Sequence, residues 1–173
     1  MAREVRAFAV TVLTLATLGA AAGLLWSGLA PRAPYQVTEQ GTVLADPSTQ
    51  ALIAADGWFA VITGGLGLLC GGVGWFIGRR WMLPVLLGLC AGGVLGAMLT
   101  LWVGSTFTIG AVVIEAAAQP GAKVVPGALK LTASGVLVSW PLLAVGLFAL
   151  LEGMHGYRES SLRHPYGDPP EPL

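Results

Sequence analysis

Charge is what this chain has least of. Nine basic and nine acidic residues are spread over 173 positions, 10% of the total, against roughly 25% in an average soluble domain. The two signs cancel, and no basic run is interleaved with aromatic residues. Nucleic acid therefore has no electrostatic footprint to bind and is excluded as a partner. Histidine and cysteine are as scarce, at two each. His155 and His164 have no cysteine or carboxylate beside them at metal-ligand spacing, so no metal site is expected. Neither a Gly-x-Ser-x-Gly elbow nor a phosphate-binding loop is present. The reading is of a non-enzymatic protein with no catalytic residue and no cofactor.

Hydrophobic residues and glycine fill the space that charge leaves. The chain is 55% hydrophobic with 25 glycines, and its mean hydropathy is +0.75. Four runs, residues 7–29, 57–78, 81–104 and 132–153, are long enough to cross a hydrocarbon core of about 30 Å at 1.5 Å per residue. They leave two connections, 30–56 and 105–131, and a polar tail, 155–173. The first run carries small residues at Ala20, Ala21, Ala22 and Gly23, as a signal peptide does near its cleavage site. Its apolar stretch outruns a signal core of about 7–15 residues, so a retained helix is expected. The fold class that follows is an all-α membrane protein: a four-transmembrane-helix bundle with a small extracytoplasmic cap.

Arginine sets the orientation. Arg3, Arg6, Arg79, Arg80, Arg158 and Arg163 gather on one side, and Arg32, Lys123 and Lys130 on the other. The positive-inside rule then puts the N-terminus and C-terminus in the cytoplasm of a cell carrying the protein in its plasma membrane. Trp26, Trp58 and Trp102 are expected as anchors at one interface, and Trp75 and Trp81 at the other. No carboxylate lies near a midplane: Asp56 and Glu152 fall at run ends, so the ionisable group that a coupled transport path uses is missing. Asp56 is a candidate for an interfacial ion pair with Lys130.

Glycine at helical spacing is the strongest local signal. Gly64, Gly67, Gly71, Gly74 and Gly78 alternate by three and four in the second run, while Gly88, Gly92 and Gly96 repeat by four in the third. In a water-exposed helix each would cost about 1 kcal/mol; in lipid, small residues let helix backbones approach. The two runs are separated only by Arg79 and Arg80, so an antiparallel hairpin is expected. Its two small faces either close the four-helix bundle or leave one side for a further helix. Ala16, Ala20 and Gly23 offer a small face in the first run, and Gly135, Ser139 and Gly146 one in the fourth, where Pro141 should introduce a kink. Cys70 and Cys90 fall at matching distances from the hairpin turn and form a candidate thiol pair.

In the connections, residues 35–44 alternate around Gln40-Gly41 as a hairpin would. Residues 47–55 read as a short helix capped by Asp46, 109–118 as another, and 128–132 as a strand. The tail is proline-rich and is expected to be flexible.

Trp26 with Ala30-Pro31, then Ala55-Asp56-Gly57-Trp58-Phe59, and Trp140-Pro141 resemble a family of small four-helix membrane proteins from high-GC Gram-positive bacteria. The resemblance implies topology and location and carries no activity or catalytic residue. The function expected is that of an accessory subunit or scaffold of a cell-envelope complex, with a membrane-protein partner or a second copy beside it in the bilayer. The alternative is a small transporter or channel protomer that forms a path on oligomerisation.

Overall fold

The computed structural model describes residues 2–38, 41–46, 50–78, 80–107, 124–127 and 129–159. In chain order these form α1 (Ala2–Leu29), β1 (Pro34–Thr38), β2 (Gly41–Leu44), α2 (Ala51–Gly78), α3 (Met82–Thr106), β3 (Val124–Pro126) and α4 (Ser139–Glu159). A 3₁₀ segment, Ser134–Val138, leads directly into α4. The four long helices are each long and apolar enough to cross a membrane. The protein is a four-transmembrane-helix bundle with a small sheet at the end opposite its termini.

Helix α2 begins before its boundary drawn from hydropathy and α4 ends beyond its own, although α4 proper begins only at Ser139. Residues 51–56 continue α2 without a break, so the expected short helix and the second span are one element. Helix α4 reaches Glu159, past the point where the tail was expected to begin. Pro141 falls in the first turn of α4, immediately after the change from 3₁₀ to α geometry. A first-turn residue has no intrahelical acceptor for its N–H, so the missing donor is tolerated there.

Packing is by pairs. Helix α1 lies mainly on α3, and α2 mainly on α4; α3 and α4 join the two pairs, while α1 and α2 touch little. The α2–α3 hairpin expected from the short turn is real in connectivity, yet these two helices make only a modest interface. The α2 glycines divide between neighbours, Gly64, Gly67 and Gly71 facing α4 and Gly74 and Gly78 facing α3, while Gly88, Gly92 and Gly96 of α3 face α1.

The sheet has the order β2-β1-β3, with both pairings antiparallel. Tyr35 pairs with Leu44 and Thr38 with Gly41, which is the hairpin register that the alternation implied. The third strand is Val124–Pro126, paired through Tyr35 and Val125. It lies upstream of the expected one, and residues 129–132 adopt no strand. The expected helix 109–118 and the tail from 160 onward lie outside the described residues.

Candidate functional site

The sheet end of the bundle holds the densest set of directional contacts. Trp26 is fully buried near the end of α1, and its indole N–H donates to the Ala55 carbonyl in the first turns of α2 at 2.9 Å. Its ring meets Phe59 edge-on, with centroids 5.3 Å apart. The ring also occupies the space at Gly104 of α3, where a Cβ would collide with it. Trp26 is thus a core residue joining three helices rather than the interfacial anchor its position suggested. Trp58 and Trp102 are exposed on the outside of the bundle, as anchors are.

Asp56 follows one position after Ala55 and is buried, with 8% of its surface exposed. Its two carboxylate oxygens accept the backbone N–H groups of Thr132, at 3.0 Å, and Ala133, at 2.8 Å. Charge-assisted bonds of this kind are about twice as strong as neutral ones. They fix the segment entering the 3₁₀ turn and α4 against α2. The expected Asp56–Lys130 ion pair is replaced by these amides, and Lys130 is exposed. Backbone donors win because they are fixed in place, whereas a lysine ammonium at an interface keeps its hydration. Arg32 reaches back to the Ser27 carbonyl at 2.9 Å, placing its charge at the negative end of α1.

Threonine and serine hydroxyls within the spans bond inside the chain, whereas the buried Trp140 indole nitrogen has no hydrogen-bond partner among the described residues. Thr63 donates to the Phe59 carbonyl at 2.7 Å, so at its 2.7 Å contact with Ser139 the serine is the donor. Thr100 Oγ1 lies 3.0 Å from the Gly19 carbonyl of α1 and 2.9 Å from its own Gly96 carbonyl, sharing one proton between them. Thr11, Thr14 and Thr17 bond back to carbonyls one turn earlier. At the other end, the Trp75 indole donates to Glu152 at 3.0 Å, tying α2 to α4, and His155 stacks edge-on against Trp75.

Each of the eight glycines singled out in α2 and α3 faces another helix. A Cβ at Gly67 would lie 2.6 Å from the Trp140 carbonyl, and at Gly71 it would collide with the Ala144 carbonyl. Gly64 faces Leu143, while Gly74 and Gly78 face Leu89 and Val85 across the hairpin. In α3, Gly88 meets Thr11, Gly92 meets Val12 and Gly96 meets the Leu15 carbonyl. Both small faces are therefore filled by the chain's own helices. Gly135 and Gly146, expected as packing residues, face open space. The buried stripe of α4 is instead Trp140, Ala144 and Phe148, one residue per turn. Gly19 was missed as a contact although it opposes Gly96; its four-residue spacing to Gly23 was the available signal.

Cys70 and Cys90 are both free thiols. Cys70 is half-buried on α2, and Cys90 is exposed on the outer side of α3. Their matching depth along the hairpin is not accompanied by a disulfide. Among the described residues no three His, Cys, Asp or Glu side chains converge as a metal site would require. Compared with known proteins, the chain matches no family model, no curated protein and no solved structure.

Proposed function

We propose that this protein is a non-enzymatic component of the cell membrane that acts as an accessory subunit or scaffold of an envelope complex. In this reading the sheet-bearing cap faces outside and the termini face the cytoplasm. One observation carries it: the buried Asp56 carboxylate clamps the cap-proximal segment 132–133 onto α2. A presenting surface has to be held rigid, and this contact does so. Two further features support the reading. The span hydroxyls described above are bonded within the chain, which gives no polar lining for a path. Strand β2 is at the sheet edge and carries an exposed Val43, so the cap offers an edge to which a partner can add.

The test is mild extraction of the tagged full chain, with its mass and co-purifying proteins determined before and after Val43→Asp. A stable heteromer that is lost on the substitution is expected. A homo-oligomer that passes solute in proteoliposomes would instead establish the transporter or channel alternative. Orientation is tested separately by impermeant thiol labelling in a cysteine-free background. Cysteines at Val43 and Lys130 should label in intact cells, and one at Tyr157 should not.

A further inference from the structure

The looseness between α1 and α2 is confined to one half of the bundle. Near the sheet end the two helices are held by Trp26, Ala55 and Phe59, with Ala22 and Ile62 buried below them. From Leu18 and Leu66 towards the termini they diverge, leaving a cleft of about 410 Å³. Its walls are the branched or long side chains of Val10, Leu15, Leu69, Val73 and Ile77, and Leu89 of α3 closes its floor. A second hollow shares Val10, Thr11 and Ile77 with it and continues it to the bundle end, where Arg3, Arg6 and Trp81 form the mouth.

The spacing of these residues has a direct reading. Arg3, Arg6, Val10 and Thr14 follow one another at three- and four-residue intervals and share one face of α1. Both guanidiniums therefore sit below the apolar cleft. Among the described residues no carboxylate lines this mouth; Glu4 lies on the other side of α1 with Phe8, Leu83 and Leu87. From Ala7 to Leu18 the helical rise is roughly 16 Å, close to half of a hydrocarbon core of about 30 Å. The cleft is one leaflet deep, with paired cations and an interfacial tryptophan at headgroup level.

We propose that this cleft is a binding site for an anionic phospholipid, with one acyl chain between α1 and α2 and its phosphate on Arg3 and Arg6. Charge complementarity and depth select this occupant. A partner helix would need a seam crossing both leaflets and lined by small residues, as the α1–α3 and α2–α4 interfaces are. The cleft is closed in the far leaflet, and branched side chains dominate its walls. A flexible chain of methylenes conforms to such walls, and a phosphate accepts the guanidinium donors. The proposal is independent of the accessory-subunit reading, because it concerns the opposite end of the molecule.

The full chain is reconstituted in bilayers holding equal amounts of phosphatidylglycerol and phosphatidylcholine, and retained lipid is read by native mass spectrometry. Preferential retention of one phosphatidylglycerol per chain is expected. Removing charge with Arg3→Gln and Arg6→Gln should lower retention by about fivefold per arginine, the weight of one basic residue at an anionic surface. Filling the cleft with Val73→Trp should abolish retention while leaving both arginines in place. Val73 is exposed, and unchanged thermal unfolding shows that the variant is folded; Thr14→Phe on the opposite wall serves if it is not. Equal retention of the two lipids would overturn the proposal. So would retention that survives a filled cleft, which indicates surface charge alone, or a chain dimer that Val73→Trp dissolves.

Discussion

The two ends of the α1–α2 boundary are built from different materials. At the sheet end the Trp26 indole of α1 reaches the Ala55 carbonyl of α2, next to the Asp56 carboxylate that holds residues 132 and 133, and the helices meet. At the end carrying the termini, aliphatic side chains face each other across a gap, and the hydroxyls of Thr11 and Thr14 turn back onto their own helix. Both ends are rich in apolar surface. In lipid, however, apolar surface gives two helices no reason to prefer each other over acyl chains. Association follows where backbones approach closely or polar groups bond across the interface, and only the sheet end of this boundary has the latter.

The α2–α4 interface provides the sharpest way to break this comparison, because at Gly67 and Gly71 it relies on backbone approach. A side chain at Gly71 has to displace the Ala144 backbone. Overpacking of this kind typically costs about 1–3 kcal/mol, and Gly71→Leu, which adds four carbons against a backbone, should exceed that range. Loss of the folded, monodisperse species on size-exclusion chromatography in mild detergent is the expected readout. Gly146→Leu on the open side of α4 should leave thermal unfolding unchanged. If the two variants behave alike, the close approach is not what joins the pair.

Next in size is the carboxylate. Asp56→Ala leaves the Thr132 and Ala133 amides without their acceptor, and hydrogen bonds to charged groups are worth about 1.5–3 kcal/mol. A drop in unfolding temperature should come with faster hydrogen exchange confined to residues 129–138. Lys130→Ala, which removes the partner expected from charge alone, should change neither.

These two cases also mark what the sequence could tell. Long apolar runs reveal spans because lipid demands a continuous helix, and the hairpin at 35–44 was legible because its alternation and turn agree. The glycine spacings identified which faces of α2 and α3 are small. They did not identify the neighbour, since a small face accepts any helix: α4 filled the α2 face at Gly64, Gly67 and Gly71, α3 filled it at Gly74 and Gly78, and α1 filled the α3 face. Asp56 was legible as unusual but not in its partners, because backbone amides carry no signature in a list of side chains. Trp26 was misplaced for a related reason: the rule for interfacial tryptophan counts distance along the helix and is blind to the carbonyl at Ala55 that accepts its N–H. Gly135 and Gly146 show the converse error, a small residue with nothing facing it.

A smaller effect is expected at Trp26 itself. Trp26→Phe keeps most of the ring contact with Phe59 and Gly104 and deletes one neutral hydrogen bond, whose net worth is about 1 kcal/mol. The measurement is denaturant or thermal unfolding beside Trp58→Phe, an exposed position that should register nothing.

The finest comparison uses one substitution in two places. Thr63 and Thr14 both sit within helices and both donate to the carbonyl four residues earlier, at 2.7 and 2.8 Å. Replacing either with valine removes the same back-bond and conserves volume. The difference lies across the helix boundary. At Thr63 the oxygen also accepts the Ser139 hydroxyl of α4, so Thr63→Val strands a donor at a part-buried site and should cost on the order of 1–2 kcal/mol. Thr14 faces the open cleft with no partner on α2, so Thr14→Val should stay within about 0.5 kcal/mol of the parent. Unfolding of the two variants and of Ser139→Ala in parallel decides the matter. If Thr14→Val is as costly as Thr63→Val, a polar contact spans the cleft and the two ends of the boundary are alike. If Ser139→Ala restores the stability lost in Thr63→Val, the loss belongs to the stranded hydroxyl, and directional bonding across helices is what separates the closed end from the open one.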